Sequence, residues 1–205
     1  MRAALIALGL TIAAATTAAI AQMPTEAPGK PDPSLVTAGT YKVDPYHTQV
    51  IWKVDHMGIS PLYGAFGDPS GSLTLDPRNP AAAKLSVTFA MTNLITTTPK
   101  LTEHLSGGDF FDIAKFPTAT FVSTAVAADG TKAKITGNLT VKGVTKPVVL
   151  DAEFYGAGAN PMSKKLNIGF KAETKIKRSD FGLGYGVPMV GDAVSLKIVG
   201  AFEKE

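Results

Sequence analysis

The sequence predicts an all-β fold, an antiparallel barrel of eight strands with a short helical insert near residues 98–112. Beyond Tyr41, apolar and polar side chains alternate along one segment after another, which is typical of strands with one face in water. Turn-forming pairs such as Asp129-Gly130 and Lys142-Gly143 separate these segments. Closing such a sheet into a barrel removes its exposed edges, and eight strands leave an interior that side chains fill or that holds one elongated ligand.

The strands can be assigned in chain order from the apolar face of each segment. Their alternating apolar residues are Val50, Trp52 and Val54; Leu73 and Leu75; Leu85, Val87, Phe89 and Met91; Ile135, Leu139 and Val141; Val148, Leu150, Ala152 and Phe154; Leu166, Ile168, Phe170 and Ile176; and Val194, Leu196, Ile198 and Phe202. The spacing changes after residue 98, where Leu101, His104 and Leu105 follow one another at intervals typical of a helix. This part therefore predicts one or two short helices.

Composition excludes several classes of protein. The chain of 205 residues is long enough for one well-buried domain, and it contains no cysteine. Disulfide scaffolds, thiolate metal sites and cysteine nucleophiles are therefore excluded. The net charge of +3 is too small to indicate a nucleic-acid partner. Proline occupies the nucleophile position of the only G-x-S-x-G-like stretch, residues 67–71, so this hydrolase motif is missing.

Three parts of the chain can be distinguished. Residues 1–21 combine Arg2, an apolar stretch and a final Ala19-Ile20-Ala21, which is the pattern of a cleavable signal peptide. Residues 22–39 are rich in proline and predict an extended linker that cannot join a sheet. Residues 40–205 form the predicted barrel domain. A cleaved signal peptide implies that the mature chain works outside the cytoplasm.

Alternation alone does not say which face of the barrel meets water, so an outer-membrane barrel is an alternative. Such barrels point apolar residues at lipid between two aromatic girdles. Here the chain ends in Phe202-Glu203-Lys204-Glu205, and several phenylalanines gather near the helical insert rather than in girdles. Long lysines on the polar face suit a solvated exterior, so an apolar interior is favoured.

The three histidines do not predict a metal site. The spacing of His47, His56 and His104 fits no standard zinc pattern, and no cluster of carboxylates accompanies them. We expect them to be structural histidines with satisfied hydrogen bonds, and we predict no metal ligand.

Arg178 is a polar residue that is predicted to face the interior of the barrel. It follows Ile176 by two positions and so shares its inward parity. A buried arginine needs a partner, either an acidic side chain or a polar group of a ligand. Asp44 and Asp180 are the expected partners. A catalytic site would need an acid or base that faces the interior, and only His56 and Arg178 have inward parity. No catalytic residue is predicted.

Six motifs, in order, resemble those of a known family. They are Tyr41-Lys42-Val43-Asp44-Pro45-Tyr46-His47-Thr48; His56-Met57-Gly58 followed by Gly64-x-Phe66; Glu103-His104-Leu105 followed by Asp109-Phe110-Phe111-Asp112; Phe116-Pro117-x-x-x-Phe121-x-Ser123; Gly137-Asn138-Leu139-Thr140-Val141-Lys142-Gly143-Val144-Thr145-Lys146-Pro147; and Arg178-Ser179-Asp180-Phe181-Gly182 followed by Val190-Gly191-Asp192. From about Tyr41 to Phe202 the chain resembles the YceI-like family of polyisoprenoid-binding periplasmic proteins. This resemblance implies a lipocalin-like barrel in the periplasm that holds a long isoprenoid lipid in its apolar interior.

The resemblance implies no cofactor other than such a lipid, with a polyprenyl or quinone-like tail. Its binding residues would be inward apolar side chains, each of which is also explained as ordinary core: Trp52, Val54, Phe66, Leu75, Val87, Phe89, Met91, Phe110, Phe111, Phe121, Leu139, Leu150, Phe154, Ile168, Phe170 and Leu196. Phe110, Phe111 and Phe116 are expected either to form a lid or to pack the helical insert. His56, His104 and Arg178 are the polar candidates, for a head group or for structure. Leu101-Thr102 departs from the Arg-Asp that is frequent there in the family, so no arginine at that place can meet a head group.

Charge is unevenly distributed along the chain. From Lys132 to Arg178 there are ten basic and three acidic residues, a net charge of +7, and we call this range the basic stretch. Each cation close to anionic lipid contributes about 1 kcal/mol. Transient contact with an anionic membrane surface is one interpretation, and a solvated outer face is the other. The oligomeric state stays open, with a dimer among the options.

The favoured function is therefore a periplasmic, non-enzymatic protein that binds and carries an isoprenoid-type lipid. Two alternatives remain. One is a structural or envelope stress-response barrel filled by its own side chains, and the other is an enzyme that modifies a lipid.

Overall fold

The computed structural model describes residues 26–205, and the expected signal peptide, residues 1–21, lies outside the described residues. The strands in this part are β1 Gly39–Val43, β2 Gln49–His56, β3 Ser60–Phe66, β4 Ser70–Leu75, β5 Lys84–Ala90, β6 Leu94–Ile95, β7 Thr118–Asp129, β8 Lys132–Val141, β9 Val144–Ala159, β10 Leu166–Lys177 and β11 Val190–Lys204. Helix α1 spans Pro99–Ser106, inside the predicted insert, and short 3-10 turns occur at Pro33–Leu35, Pro80–Ala82, Met91–Asn93 and Arg178–Phe181. Within residues 26–205, no helix has the length and apolar character needed to cross a membrane.

These eleven segments form a closed barrel of eight strands, because three of the eight barrel strands are each interrupted once and so consist of two segments. β11 pairs with β2 along residues 190–199 and with β1 along residues 202–204, so β1 and β2 are two parts of one barrel strand. β3 and β4 form the next strand, and β5 and β6 the one after it. The remaining strands, β7 to β11, pair in chain order, and every pairing is antiparallel. The predicted eight-stranded antiparallel barrel is confirmed.

The two ends of the barrel differ in what covers them. The helix end carries α1, the β2–β3 turn at residues 57–59, the β8–β9 turn and the loop of residues 182–189 before β11. The far end carries the β7–β8 turn, the start of β1 and the last residues of β11. At the far end Tyr41, Ile168 and Phe202 pack together and are among the most deeply buried residues.

Two predicted turns connect the central hairpins. Gly130, between β7 and β8, has φ of 58°, and Lys142 and Gly143, between β8 and β9, have φ of 50° and 73°. Positive φ at both Lys142 and Gly143 gives the second turn the two-residue form whose twist matches the flanking strands. The second turn carries the side chain of Lys142 to the helix end.

The N-terminal segment joins the barrel, which corrects the expected linker over residues 22–39 in its described part. Lys30 exchanges two backbone hydrogen bonds of 2.9 Å with Ala157 of β9, and Val36 is buried in the core. β9 runs past the start of β8, and the edge this leaves needs a backbone partner. Gly158 gives the segment room, since a Cβ there would lie 2.3 Å from the carbonyl oxygen of Pro28. The prolines remove their own N–H groups, but Lys30 keeps the one that the bridge uses.

Candidate ligand cavity

A cavity of about 510 Å³ lies inside the barrel. Its wall is formed by the residues that alternate inward along the strands. All but one of the residues predicted to contact a lipid line this cavity: Trp52, Val54, Phe66, Leu75, Val87, Phe89, Met91, Phe110, Phe111, Phe121, Leu139, Leu150, Phe154, Phe170 and Leu196. A cavity of this size with a mostly apolar wall is typical of sites for small apolar molecules.

Ile168 is the exception among the predicted residues. Its side chain is buried at the far end in the cluster that includes Tyr41 and Phe202, and it is not part of the cavity wall. The hydroxyl of Tyr41 donates to the carbonyl of Thr37 and anchors this cluster to the N-terminal segment. Ile168 therefore belongs to the packed core of the far end.

Two glycines give large aromatic rings room against the wall. A Cβ on Gly64 would lie 2.1 Å from Cζ2 of Trp52, and a Cβ on Gly137 would lie 2.4 Å from Cζ of Phe121. The indole Nε1 of Trp52 is buried and has no hydrogen-bond partner among the described residues. An unsatisfied buried donor costs about 1–3 kcal/mol, so the indole is held there by its packing.

Aromatic contacts organise the helix end of the cavity. Phe111 meets Phe66 edge to face with ring centroids 5.6 Å apart, and it packs into the interior clusters. Phe110 lies between His104, at 4.9 Å, and Tyr185, at 5.5 Å. Phe111 is thus a packing residue, whereas Phe110 connects the helical insert to the loop of residues 182–189 across the opening.

Arg178 does not meet either of the aspartates expected as its partners. The residue is 6% exposed, and its guanidinium donates to the backbone carbonyls of Leu183, Tyr185, Val190 and Gly191. Three of these bonds measure 2.8–2.9 Å. Burial lowers the pKa of Arg178, and the charge of Asp192 acts in the opposite direction. Arg178 therefore fixes the loop of residues 182–189 against β11, because a guanidinium has enough donors for several carbonyls at once.

Asp192, which belongs to β11, holds the 3-10 turn Arg178–Phe181 that precedes the same loop. Its carboxylate accepts the backbone N–H of Ser179 at 2.9 Å and the Ser179 hydroxyl at 2.8 Å. The bond from the Ser179 N–H is the main cause that lowers the pKa of Asp192, and the Ser179 hydroxyl, Arg178 and Lys177 act in the same direction. The helix end is thus held together by one buried cation and one hydrogen-bonded anion.

Only one histidine has the hydrogen bond expected of it. His47 lies 2.7 Å from a carboxylate oxygen of Asp44. His56 and His104 instead line the cavity, and within residues 26–205 their side chains have no hydrogen-bond partner. Because the ring of His56 is half-buried and that of His104 is exposed, water can satisfy both, and the expectation of satisfied structural histidines stays a prediction for these two. No group of three potential metal-binding side chains occurs in the described part of the chain.

Two further polar residues, Lys142 at the helix end and Thr48 in the cavity wall, make contacts that the sequence analysis did not predict. Nζ of Lys142 donates to the carbonyl oxygen of Gly108 at 2.9 Å and lies 3.5 Å from that of Gly182, so it spans the helical insert and the loop. Thr48 lines the cavity and exchanges two hydrogen bonds of 3.0 Å with the backbone of Ala201. The turn motif located Lys142, but its partners lie 34 and 40 residues away in sequence.

A closed meander of eight antiparallel strands around an apolar cavity defines a lipocalin-like barrel. Residues 41–202 match the YceI-like domain. The chain belongs to the YceI-like family.

Relatives and solved structures agree with this assignment. Protein YceI of Escherichia coli O157:H7 is 45% identical over 148 residues, which are 71% of this chain and 77% of that protein. The crystal structure of Burkholderia cenocepacia BcnA is similar with a TM-score of 0.67 at 29% identity, over 75% of this chain and 95% of BcnA. A YceI protein of Campylobacter jejuni has a TM-score of 0.63 at 34% identity, over 74% and 90% of the two chains. A polyisoprenoid binding domain from Saccharophagus degradans shares the fold, with a TM-score of 0.60 at 14% identity, over 80% and 98%.

Proposed function

We propose that the protein binds and carries a long isoprenoid-type lipid, with a polyprenyl or quinone-like tail, in the barrel cavity. The observation that carries this proposal is the apolar wall, which the inward residues of the barrel strands form around one cavity. A prenyl chain has no hydrogen-bonding groups and requires only a long, dry, apolar site. Membership of the YceI-like family and the shared fold of a polyisoprenoid binding domain support the same ligand class.

Carriage rather than permanent storage follows from the balance of apolar environments. Each buried CH₂ is worth about 0.8 kcal/mol against water, so a long prenyl tail does not cross water unaided. The bilayer interior is as apolar as the cavity. Transfer between the two is therefore close to balanced, and the lipid can be both taken up and released.

The polar groups at the cavity wall favour an uncharged head group. Arg178 is occupied by four backbone carbonyls, and Lys171 lies 3.2 Å from the carboxylate of Glu153. Lys132 borders the cavity at its solvent-exposed far end. His56 and His104, at the helix end, keep their ring nitrogens for a carbonyl or hydroxyl of a ligand.

The proposal includes a periplasmic location and transient contact with an anionic membrane. The signal-peptide pattern of residues 1–21 supports export. Three lysines of the basic stretch are paired with Asp151, Glu203 and Glu153, and the remaining cations support membrane contact. The protein is proposed to bind its lipid without changing it.

Native mass spectrometry of protein purified from a bacterial periplasm tests this function. We expect a retained prenyl lipid in the wild type and its loss in Phe89→Asp, which places a carboxylate in the apolar wall. Ser86→Asp, on the exposed face of the same strand, is the matched control and should retain lipid. Circular dichroism checks that each variant is folded. An empty wild-type barrel would favour the structural alternative, and a chemically altered lipid would favour an enzyme.

A further inference from the structure

Exposed apolar side chains lie at the helix end of the barrel, next to residues that line the cavity. They belong to the β2–β3 turn and to the loop before β11, and we call them the mouth rim: Met57, Ile59, Tyr185, Val187 and Met189. They are between 40% and 81% exposed. Contiguous apolar surface of this kind marks an interaction site in soluble proteins.

The mouth rim is continuous and connects to the cavity wall. The N–H of Met57 donates to the carbonyl oxygen of Met189 at 2.7 Å, so the turn and the loop lie side by side. Tyr185 meets Phe110, which lines the cavity, edge to face. His56, the chain neighbour of Met57, lines the cavity as well. An apolar path therefore leads from the cavity to the outer surface.

Both segments that carry the rim are free of charge. Residues 57–63 and 181–191 contain no aspartate, glutamate, lysine or arginine. Charged side chains are costly to move into lipid, whereas tyrosine is enriched at the membrane interface. The rim thus has the chemistry of a surface that enters the edge of a bilayer.

Cations stand beside the rim on the side of β8, β9 and β10. They lie at the helix end of these strands, and within residues 26–205 none of them forms an ion pair: Lys142, Lys146, Lys175 and Lys177. Of the nearby acids, Asp55 accepts the N–H of Gly58, Asp192 is occupied by Ser179 and Asp180 remains. Glu103, Asp109 and Asp112 belong to the helical insert. Unpaired lysines beside an apolar rim complement a bilayer that contains anionic lipid.

At the far end of the barrel, charged rather than apolar side chains lie next to the cavity. There the cavity is bordered by Lys132 and by the ion pair of Lys171 with Glu153. These charges would have to leave water on contact with lipid, which is unfavourable. The two ends therefore differ in their ability to face a bilayer.

We infer that the mouth rim docks on a phospholipid bilayer, with Met57, Ile59 and Met189 inserted among the headgroups and the four lysines facing anionic lipid. The inference rests on the proposed lipid-carrier function, because docking lets a prenyl lipid pass between cavity and membrane without crossing water. Apolar insertion makes binding to neutral vesicles possible, and the lysines add a salt-sensitive contribution on anionic ones.

Vesicle co-flotation of the full chain tests the docking surface. The wild type should float with phosphatidylcholine vesicles, and added phosphatidylglycerol should strengthen binding at low salt. Ile59→Ser with Met189→Ser should weaken binding to both vesicle types at least about tenfold. Met162→Ser with Tyr155→Ser is the matched control, because these residues are 90% and 72% exposed and lie outside the rim. Lys175→Gln with Lys177→Gln should remove the gain from phosphatidylglycerol and leave binding to neutral vesicles unchanged.

Unchanged flotation of the rim variant would overturn the docking surface. A wild type that floats with neither vesicle type would overturn it as well and would point to a protein partner. Native mass spectrometry of the same rim variant separates this failure from failure of the carrier function. A rim variant that still holds lipid but floats like the wild type disproves the docking surface alone. An empty wild-type barrel that floats through its rim disproves the carrier function alone.

Discussion

Trp52 covers Gly64 so closely across the β2–β3 pair that a Cβ at position 64 would lie 2.1 Å from Cζ2 of the indole and 2.7 Å from the carbonyl oxygen of Ile95. We predict that Gly64→Ala lowers the free energy of unfolding by roughly 1–3 kcal/mol, since overpacking moves the ring or the backbone. Urea denaturation measures this loss, and the emission of Trp52, the only tryptophan, reports the ring's new environment. Gly67→Ala, where no atom lies within 4 Å of the added Cβ, is the control. Equal midpoints for the two variants would contradict the prediction.

Replacement of Arg178 by methionine should destabilise the barrel far more than the same change at the exposed Arg78. Four carbonyls lose a charged donor at position 178, whereas Arg78 pairs with Asp76 in solvent. Loss of a hydrogen bond to a charged group costs about 1.5–3 kcal/mol, and a surface ion pair contributes at most about 1 kcal/mol. Thermal unfolding of both variants checks the difference. Arg178→Lys should recover only part of the stability, because an ammonium cannot reach all four carbonyls.

The lowered pKa of Asp192 predicts how the free energy of unfolding changes with pH. The Ser179 N–H lowers the pKa of Asp192 below its ordinary value of 3.8, so below that pH the unfolded chain binds a proton more readily than the folded chain. The stabilisation is complete above this value and is lost as pH falls through the folded-state pKa. In Asp192→Asn, the free energy of unfolding should therefore change less between about pH 5 and about pH 2.

Asp180→Asn is the control for this pH profile, because the carboxylate of Asp180 makes no hydrogen bond to the described residues. Its stability should follow the acid dependence of the wild type. A profile for Asp192→Asn as steep as that of the wild type would show that the Ser179 bonds do not stabilise the folded chain.

Lys142 is predicted to hold the two segments of the opening together. Removing its ammonium in Lys142→Met leaves the carbonyls of Gly108 and Gly182 without this donor. A net loss of about 1–1.5 kcal/mol corresponds to roughly tenfold more frequent local opening. Hydrogen exchange should therefore accelerate in residues 107–116 and 182–189 together. Lys146→Met, at an exposed lysine of the next strand, should leave both segments unchanged.

The alternating pattern predicted most of the cavity wall because strand parity is a local property. Phe89 and Phe154 show this, since both were assigned inward from neighbouring residues alone and both line the cavity. Position along the barrel axis is not local, however. Ile168 has the same parity, yet it lies where Tyr41 and Phe202 fill the interior.

Contacts between distant segments were the part that the sequence did not reveal. Arg178 was expected to pair with a carboxylate, but the structure supplies backbone carbonyls that no sequence pattern marks as acceptors. Lys30 was expected in a free spacer, because its proline-rich surroundings hide the open edge of β9 that only the staggered hairpin creates. His56 was assigned inward by its strand parity, whereas only the fold shows that the helical insert brings His104 to the cavity.

The bridge from Lys30 to Ala157 and the bond from the Glu205 N–H to the carbonyl of Thr40 place both described chain ends at the far end of the barrel. A tag, fluorophore or surface tether joined at either end would leave the barrel on the side away from the mouth rim. Protein immobilised through its termini would then present the rim to an applied vesicle solution in a uniform orientation. For the same reason, a protein fused to either end would not obstruct the helix end of the barrel.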